Sequence, residues 1–245
     1  MRKTDNMTFK TPYTLLTILC LFSFASYGQT SVIIPKEFVE TVPPESGSDE
    51  WYSLFYLQND FRVNITDGKL EITKVDEVDK CELNISNGKL IGVNRGEWGG
   101  TLSFVPTDTT KSKVEIKRGN IKFIFTFKDK LYFIEGLAHL SLSSGALYEL
   151  DNTNGSFTYK KLIDFDDAPV AFSIYQDKFL IASYERFYVV QDFKKELIFQ
   201  DTYWSDLYPN SIAVFDDKNV FIGMRGGIVK LDLTTKTFKF YKNDK

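Results

Sequence analysis

The chain has 245 residues, with 30 Lys and Arg against 33 Asp and Glu, a formal net charge of −3 and a single histidine. That balance argues against the strongly basic footprint of a nucleic-acid binder, and a lone histidine, His139, excludes zinc held by several histidines. With 22 Phe and 13 Tyr the chain can fill a sizeable core, and aromatic residues favour strands.

Residues 1–28 have the layout of an export signal. A basic start (Arg2, Lys3, Lys10) leads into the apolar run from Leu15 to Ala25, and Ser26-Tyr27-Gly28 precedes Gln29 as a cleavage pattern. The run falls short of the roughly 20 apolar residues of a membrane helix. The expected product is a periplasmic or extracellular protein of bacterial type, cut near Gly28 and without membrane insertion. Lipoprotein anchoring through Cys20 is the rival reading, and Leu19 stands where that processing wants a small residue. Removing Arg2, Lys3, Lys10 and Asp5 takes the net charge from −3 to −5 over 217 residues and leaves Cys81 as the one thiol, so the core and not a disulfide must hold the fold. Residues 29–50, with Pro35, Pro43, Pro44 and a polar run from Glu45 to Glu50, read as a leader or linker ahead of a folded region at 51–245.

From Trp51 onward apolar and polar residues alternate. Phe61 to Val75 forms a hairpin about Asp67-Gly68, and the pair Asn87-Gly88 suits a type I′ turn between Cys81–Ile85 and Lys89–Val93. Four segments then align on a turn followed by lysine, at Lys89, Lys130, Lys178 and Lys218, with intervals of 41, 48 and 40 residues. Repeats of that length, each supplying several short strands, mark propeller blades. The expected fold is all-β and propeller-like, with about four to five four-stranded blades and repeats near 80–120, 121–168, 169–209 and 210–245. A β-sandwich or β-solenoid is the alternative.

All four strands of a blade can be read in the last repeat: Ser211–Phe215, Asn219–Gly223, Ile228–Leu233 and Thr237–Tyr241. Its run from Asp217 to Ile228, through Gly226-Gly227, with Leu231-Asp232 and Thr235-Lys236-Thr237-Phe238, resembles the two-component-regulator propeller repeat of bacterial sensor ectodomains. The resemblance covers about 35 residues. It implies blade architecture and no signalling output. The other repeats match loosely; the third lacks the Gly-Gly pair.

The chain carries no phosphate-loop pattern, no nucleophile elbow and no paired-histidine zinc motif. A catalytic triad would have to use His139, which reads more simply as a surface or structural residue. Asp164, Asp166 and Asp167 cluster, and calcium on them would lack the EF-hand spacing, so no cofactor is expected. The sequons at Asn64, Asn84 and Asn154 are expected unmodified in a bacterial host.

The repeat register places two sets of loops on one face. One set, after the second strands, holds Arg95, Glu97 and Trp98; His139; Tyr184, Glu185 and Arg186; and Met224 and Arg225. The other, leading into the first strands, holds Arg118; Asp166 and Asp167; and Tyr203, Trp204, Asp206 and Tyr208. Trp, Tyr and Arg are the types enriched at binding hot spots. In a second reading Trp98 and Trp204 pack between blades, and Gly96, Gly99 and Gly100 only permit a tight turn. The expectation drawn is a non-catalytic binding protein whose partner is a protein, peptide or glycan. A propeller-type hydrolase or lyase with paired carboxylates and an immunity-like partner of one cognate protein are the alternatives.

Overall fold

A computed structural model describes residues 32–75, 80–153 and 155–244. The expected signal, its cleavage point near Gly28, Cys20 and the Asn154 sequon lie outside the described residues. No helix among the described residues is long and apolar enough to cross a membrane.

The protein is all-β and propeller-like, and the sheet order itself carries that assignment. Four antiparallel meanders follow one another: β4 (Lys80–Ile85), β5 (Gly88–Asn94), β6 (Gly100–Pro106) and β7 (Val114–Arg118); β8 (Ile121–Phe127), β9 (Lys130–His139), β10 (Leu142–Thr153) and β11 (Ser156–Phe165); β12 (Pro169–Tyr175), β13 (Lys178–Ser183), β14 (Phe187–Gln191) and β15 (Lys194–Phe199); β16 (Ser211–Asp216), β17 (Asn219–Met224), β18 (Gly227–Asp232) and β19 (Thr237–Asn243). In the last blade β1 (Phe38–Thr41) adds an antiparallel fifth strand on β19. A separate hairpin of β2 (Phe61–Thr66) and β3 (Lys69–Lys74) lies against β16 and β17. Each first strand packs beside its neighbour: β8 lies against β4 and β5, and β12 lies against β9 and β16. Each meander keeps its own strands, so the Greek-key exchange of a sandwich is absent from these sheets.

Every junction between neighbouring sheets has its own apolar cluster. Leu90, Leu102, Ile121 and Phe133 fill the first junction; Phe125, Ile134, Phe179 and Tyr188 the second; and Trp204, Phe187, Val229 and Phe240 the third. Phe38, Phe61, Phe221 and Ile228 close the fourth, against the β2–β3 hairpin. Each fully buried side chain of this size contributes about 1.5–3 kcal/mol by leaving water.

Local chemistry explains where the elements begin and turn. The four lysine-aligned segments all fall at the turn between first and second strands. In the second blade that turn has Lys128 at φ 48° and Asp129 at φ 62°, the left-handed pair a type I′ hairpin requires. Asp67 and Gly68 do the same between β2 and β3. The Asn87-Gly88 expectation needs correction. Ile85 pairs with Gly88, so the turn residues are Ser86 and Asn87, and neither Asn87 nor Gly88 has a left-handed φ. Glycine is required at 88 for close approach instead, since a Cβ there would lie 2.3 Å from the Val105 carbonyl oxygen.

The ordered fold also reaches further toward the N-terminus than the linker expected over 29–50. Phe38 is buried in the fourth junction and β1 is hydrogen-bonded along β19. Residues 49–55 form a helix, α1 (Asp49–Phe55), where strand-like alternation was expected from Trp51. The Ser48 hydroxyl caps the Trp51 amide at 3.2 Å, and Trp51 and Leu54 point one helical turn apart into the core.

Candidate functional site

In a four-stranded meander the turn between second and third strands and the connection leading into the first strand leave the sheet at the same edge. Here those loops are bonded into a continuous series. Asn120 accepts from the Arg95 amide at 3.3 Å and donates to the Gly96 carbonyl at 2.9 Å. His139 Nε2 lies 3.1 Å from Glu97 Oε2. Further along, the Ser143 hydroxyl donates to Asp167 at 2.5 Å, and Asp167 accepts from the Glu185 amide at 2.6 Å. The Thr202 amide donates to the Glu185 carbonyl, and the Arg225 amide to the Leu207 carbonyl at 2.7 Å. The series ends at Asp60, which Arg225 grips with two nitrogens at 2.9 and 3.2 Å. Residues more than a hundred positions apart thus share one rigid edge, the usual arrangement for a binding surface built from loops.

The residues singled out from the sequence divide into three groups. Arg95, Glu97 and Trp98 project from a 3-10 turn at Gly96–Trp98, and the Trp98 indole is 80% exposed. Of the two tryptophans, this one does not pack between blades. The second group is spent on internal bonds. Arg225 is held by Asp60 and by the Phe55 carbonyl at 3.1 Å, with its guanidinium 4.2 Å from the Tyr208 ring. Tyr184 donates to Asp206, and burial together with that carboxylate pushes the phenol above its ordinary range. Arg186 reaches the Tyr188 hydroxyl at 3.4 Å and the Asp166 carbonyl at 3.5 Å. Arg118 pairs with Glu115 at 3.0 Å.

The third group must be corrected out of the surface. Trp204 is completely buried; its indole N–H donates to the Ser183 carbonyl at 3.1 Å and its ring meets Tyr203 and Phe238. Tyr203 and Met224 are core residues as well. The repeat register places Tyr203 and Trp204 in a loop leading into a first strand, but the apolar ring atoms of both aromatics gain more by filling the third junction than by facing water.

The acidic cluster is also dispersed. Asp164 pairs with Lys161 at 2.7 Å and Asp166 with Lys195 at 2.6 Å, which lowers the Asp166 carboxyl from its ordinary value, while Asp167 is buried on Ser143 and Glu185. Among the described residues no group of three or more His, Cys, Asp or Glu is placed to hold a metal ion. Cys81 packs against Ile121, and burial pushes its thiol up to about 11. At neutral pH it is a thiol and not a thiolate.

The sequence reading missed the residues that stand out most. The turn between β9 and β10 is Leu140-Ser141; Leu140 is 94% exposed with φ 53°, and Leu142 beyond it is 67% exposed. A leucine in left-handed backbone is strained, and here no packing of its side chain offsets the strain. β9, β10 and β11 run to 10, 12 and 10 residues, against four to seven in the other blades' strands, so this hairpin overhangs its sheet. The sequence signal was present in Leu137, Leu140 and Leu142, a hairpin tip without the Gly, Asn or Asp that turns ordinarily use. The partly buried group of Lys117, Glu135 and Tyr148 was missed too.

No family model matches the chain, and no curated protein matches it. Among solved structures, the N-terminal domain of Nup159 is similar at 9% identity and a TM-score of 0.38, over 81% of this chain and 66% of that one. The chain therefore spans just under two thirds of that domain's length.

Proposed function

We infer that this chain is an exported, non-catalytic binding protein that holds a protein, peptide or glycan partner on its loop edge. One observation carries the reading: Trp98, Leu140 and Leu142 present large apolar groups to solvent from two adjoining loops, which the Glu97–His139 contact ties together. Folding gains nothing from exposing them, and the left-handed φ of Leu140 makes the tip costly. Such a group on a bonded framework has the makings of a hot spot, since a partner buries it without having to order the loops first. The signal-like layout of residues 1–28 supports export to the periplasm or beyond.

The test replaces Trp98 and Leu140 singly and compares each variant's urea midpoint with its capture of partners from an envelope extract. Trp98→Ala and Leu140→Asn are expected to leave the midpoint in place and lose a discrete captured species. Capture unchanged in both variants would contradict the reading, as would a loss of capture that tracks unfolding. Mass spectrometry of the protein expressed in a bacterial host is expected to show an N-terminus near Gln29.

A further inference from the structure

Beside the β9–β10 hairpin lies a cleft of about 400 Å3, a size that holds small ligands. Lys117 of β7 and Glu135 of β9 form one side, and Lys161 and Asp164 of β11 stand on the other. The polar groups are in place before any ligand arrives. Glu135 accepts from Lys117 Nζ and, at 2.5 Å, from the Tyr148 hydroxyl. Lys117 also donates to the Arg118 carbonyl at 3.1 Å and lies 5.0 Å from the Tyr148 ring, which is stacked on Phe133 at 4.7 Å. Gly119 makes room for this arrangement: its φ is 153°, and a Cβ there would come within 2.5 Å of the Glu135 carboxylate. Lys161 and Asp164 pair at 2.7 Å.

The lining selects by chemistry. Both lysines are matched by a carboxylate, so each pair is close to neutral and offers an incoming anion or cation little net attraction. What the cleft offers instead is donors beside acceptors. An ammonium has three N–H groups and a carboxylate about four acceptor positions, and the bonds described for Lys117 and Glu135 use only two of each. A hydroxyl both donates and accepts, so it can bridge such a pair where a purely anionic or cationic group cannot. Of the apolar lining residues Ala146 and Phe165 are buried in the core, and Leu137 is partly exposed to the cleft. A ring with hydroxyls on its rim matches the paired donors and acceptors, with one C–H group or two toward Leu137. We propose that this cleft binds a neutral saccharide, seated between the Lys117–Glu135 and Lys161–Asp164 pairs. The site is separate from the Trp98–Leu140–Leu142 tip and stands whether or not the tip captures a partner.

The test is isothermal titration of the full chain with neutral mono- and disaccharides of glucose, galactose and N-acetylglucosamine, beside glucuronic acid and free amino acids. At least one neutral sugar is expected to bind with a dissociation constant of about 1 mM or tighter. Asp164→Asn and Lys161→Met, changes at exposed side chains that leave the core intact, should each weaken it by about tenfold, and Glu135→Gln should weaken it further. Trp98→Ala should leave sugar binding unchanged, which separates this site from the tip. Failure of every neutral sugar, binding that survives both the Asp164 and Lys161 changes, or preference for glucuronic acid or an amino acid would each overturn the proposal.

Discussion

The second and fourth blades are built from the same four-stranded meander and use it differently. In the fourth, every residue of β17 is buried, its strands are six or seven residues long, and β1 and the β2–β3 hairpin cover its outer strand and one face. In the second, three strands reach 10 to 12 residues, the hairpin overhangs, and its tip carries a leucine that is almost wholly in water. The blade that keeps closest to the repeat pattern serves as scaffold, and the one that departs from it carries exposed chemistry. Departures from a repeat are therefore the places to look for function, because a repeat records what packing requires of every blade alike.

The largest effect that would sharpen this contrast lies in the core between the third and fourth blades. Trp204→Ala should cost about 3–5 kcal/mol, read as a fall in the urea midpoint, because it empties a filled site and strands the Ser183 carbonyl. A cost below about 1 kcal/mol would break the contrast, since substitutions of that size are ordinary at surfaces. Arg225→Ala comes next, at about 2 kcal/mol, by leaving Asp60 partly buried without its two-nitrogen partner. Leu140→Asn should be neutral or stabilising by about 0.5 kcal/mol, since asparagine tolerates the left-handed backbone that leucine resists. A clear loss of stability there would mean that the tip supports the fold after all.

The smallest effect concerns pH. Burial, and then the nearby Asp167 carboxylate, raise the Glu185 carboxyl above its ordinary value. A carboxyl raised on folding costs stability once the pH is above its folded value, and the cost fades as the pH falls through that value toward the unfolded one. Glu185→Gln should therefore raise the urea midpoint slightly at pH 7, with the gain shrinking on acidification. A gain that grows toward low pH would reverse the sign and contradict the assignment.

Much of the fold was legible because strands and turns are written locally. The continuous apolar run of β17 suits a strand buried on both faces, and the residues flanking it, Asp216 to Lys218 and Gly226, are turn formers. The site was less legible because burial of a loop residue is settled by distant partners. Trp98 and Trp204 both follow turn-like residues, yet one indole meets water and the other meets Tyr203 and Phe238. The helix α1 was hidden for a different reason. Ser48, Asp49 and Glu50 are its cap and acidic first turn, and they read equally well as a polar linker until Trp51 and Leu54 are seen to face the core.

The central claim is that the loop edge, and within it the second blade's hairpin with the Trp98 turn, is the binding surface. Hydrogen exchange of the chain with and without its captured partner tests this most directly. The account predicts slowed exchange at residues 95–99 and 137–144 and none at the opposite edge, in the turns at 128–130, 176–178 and 192–194. Protection at that opposite edge, or none on the loop edge, would contradict it.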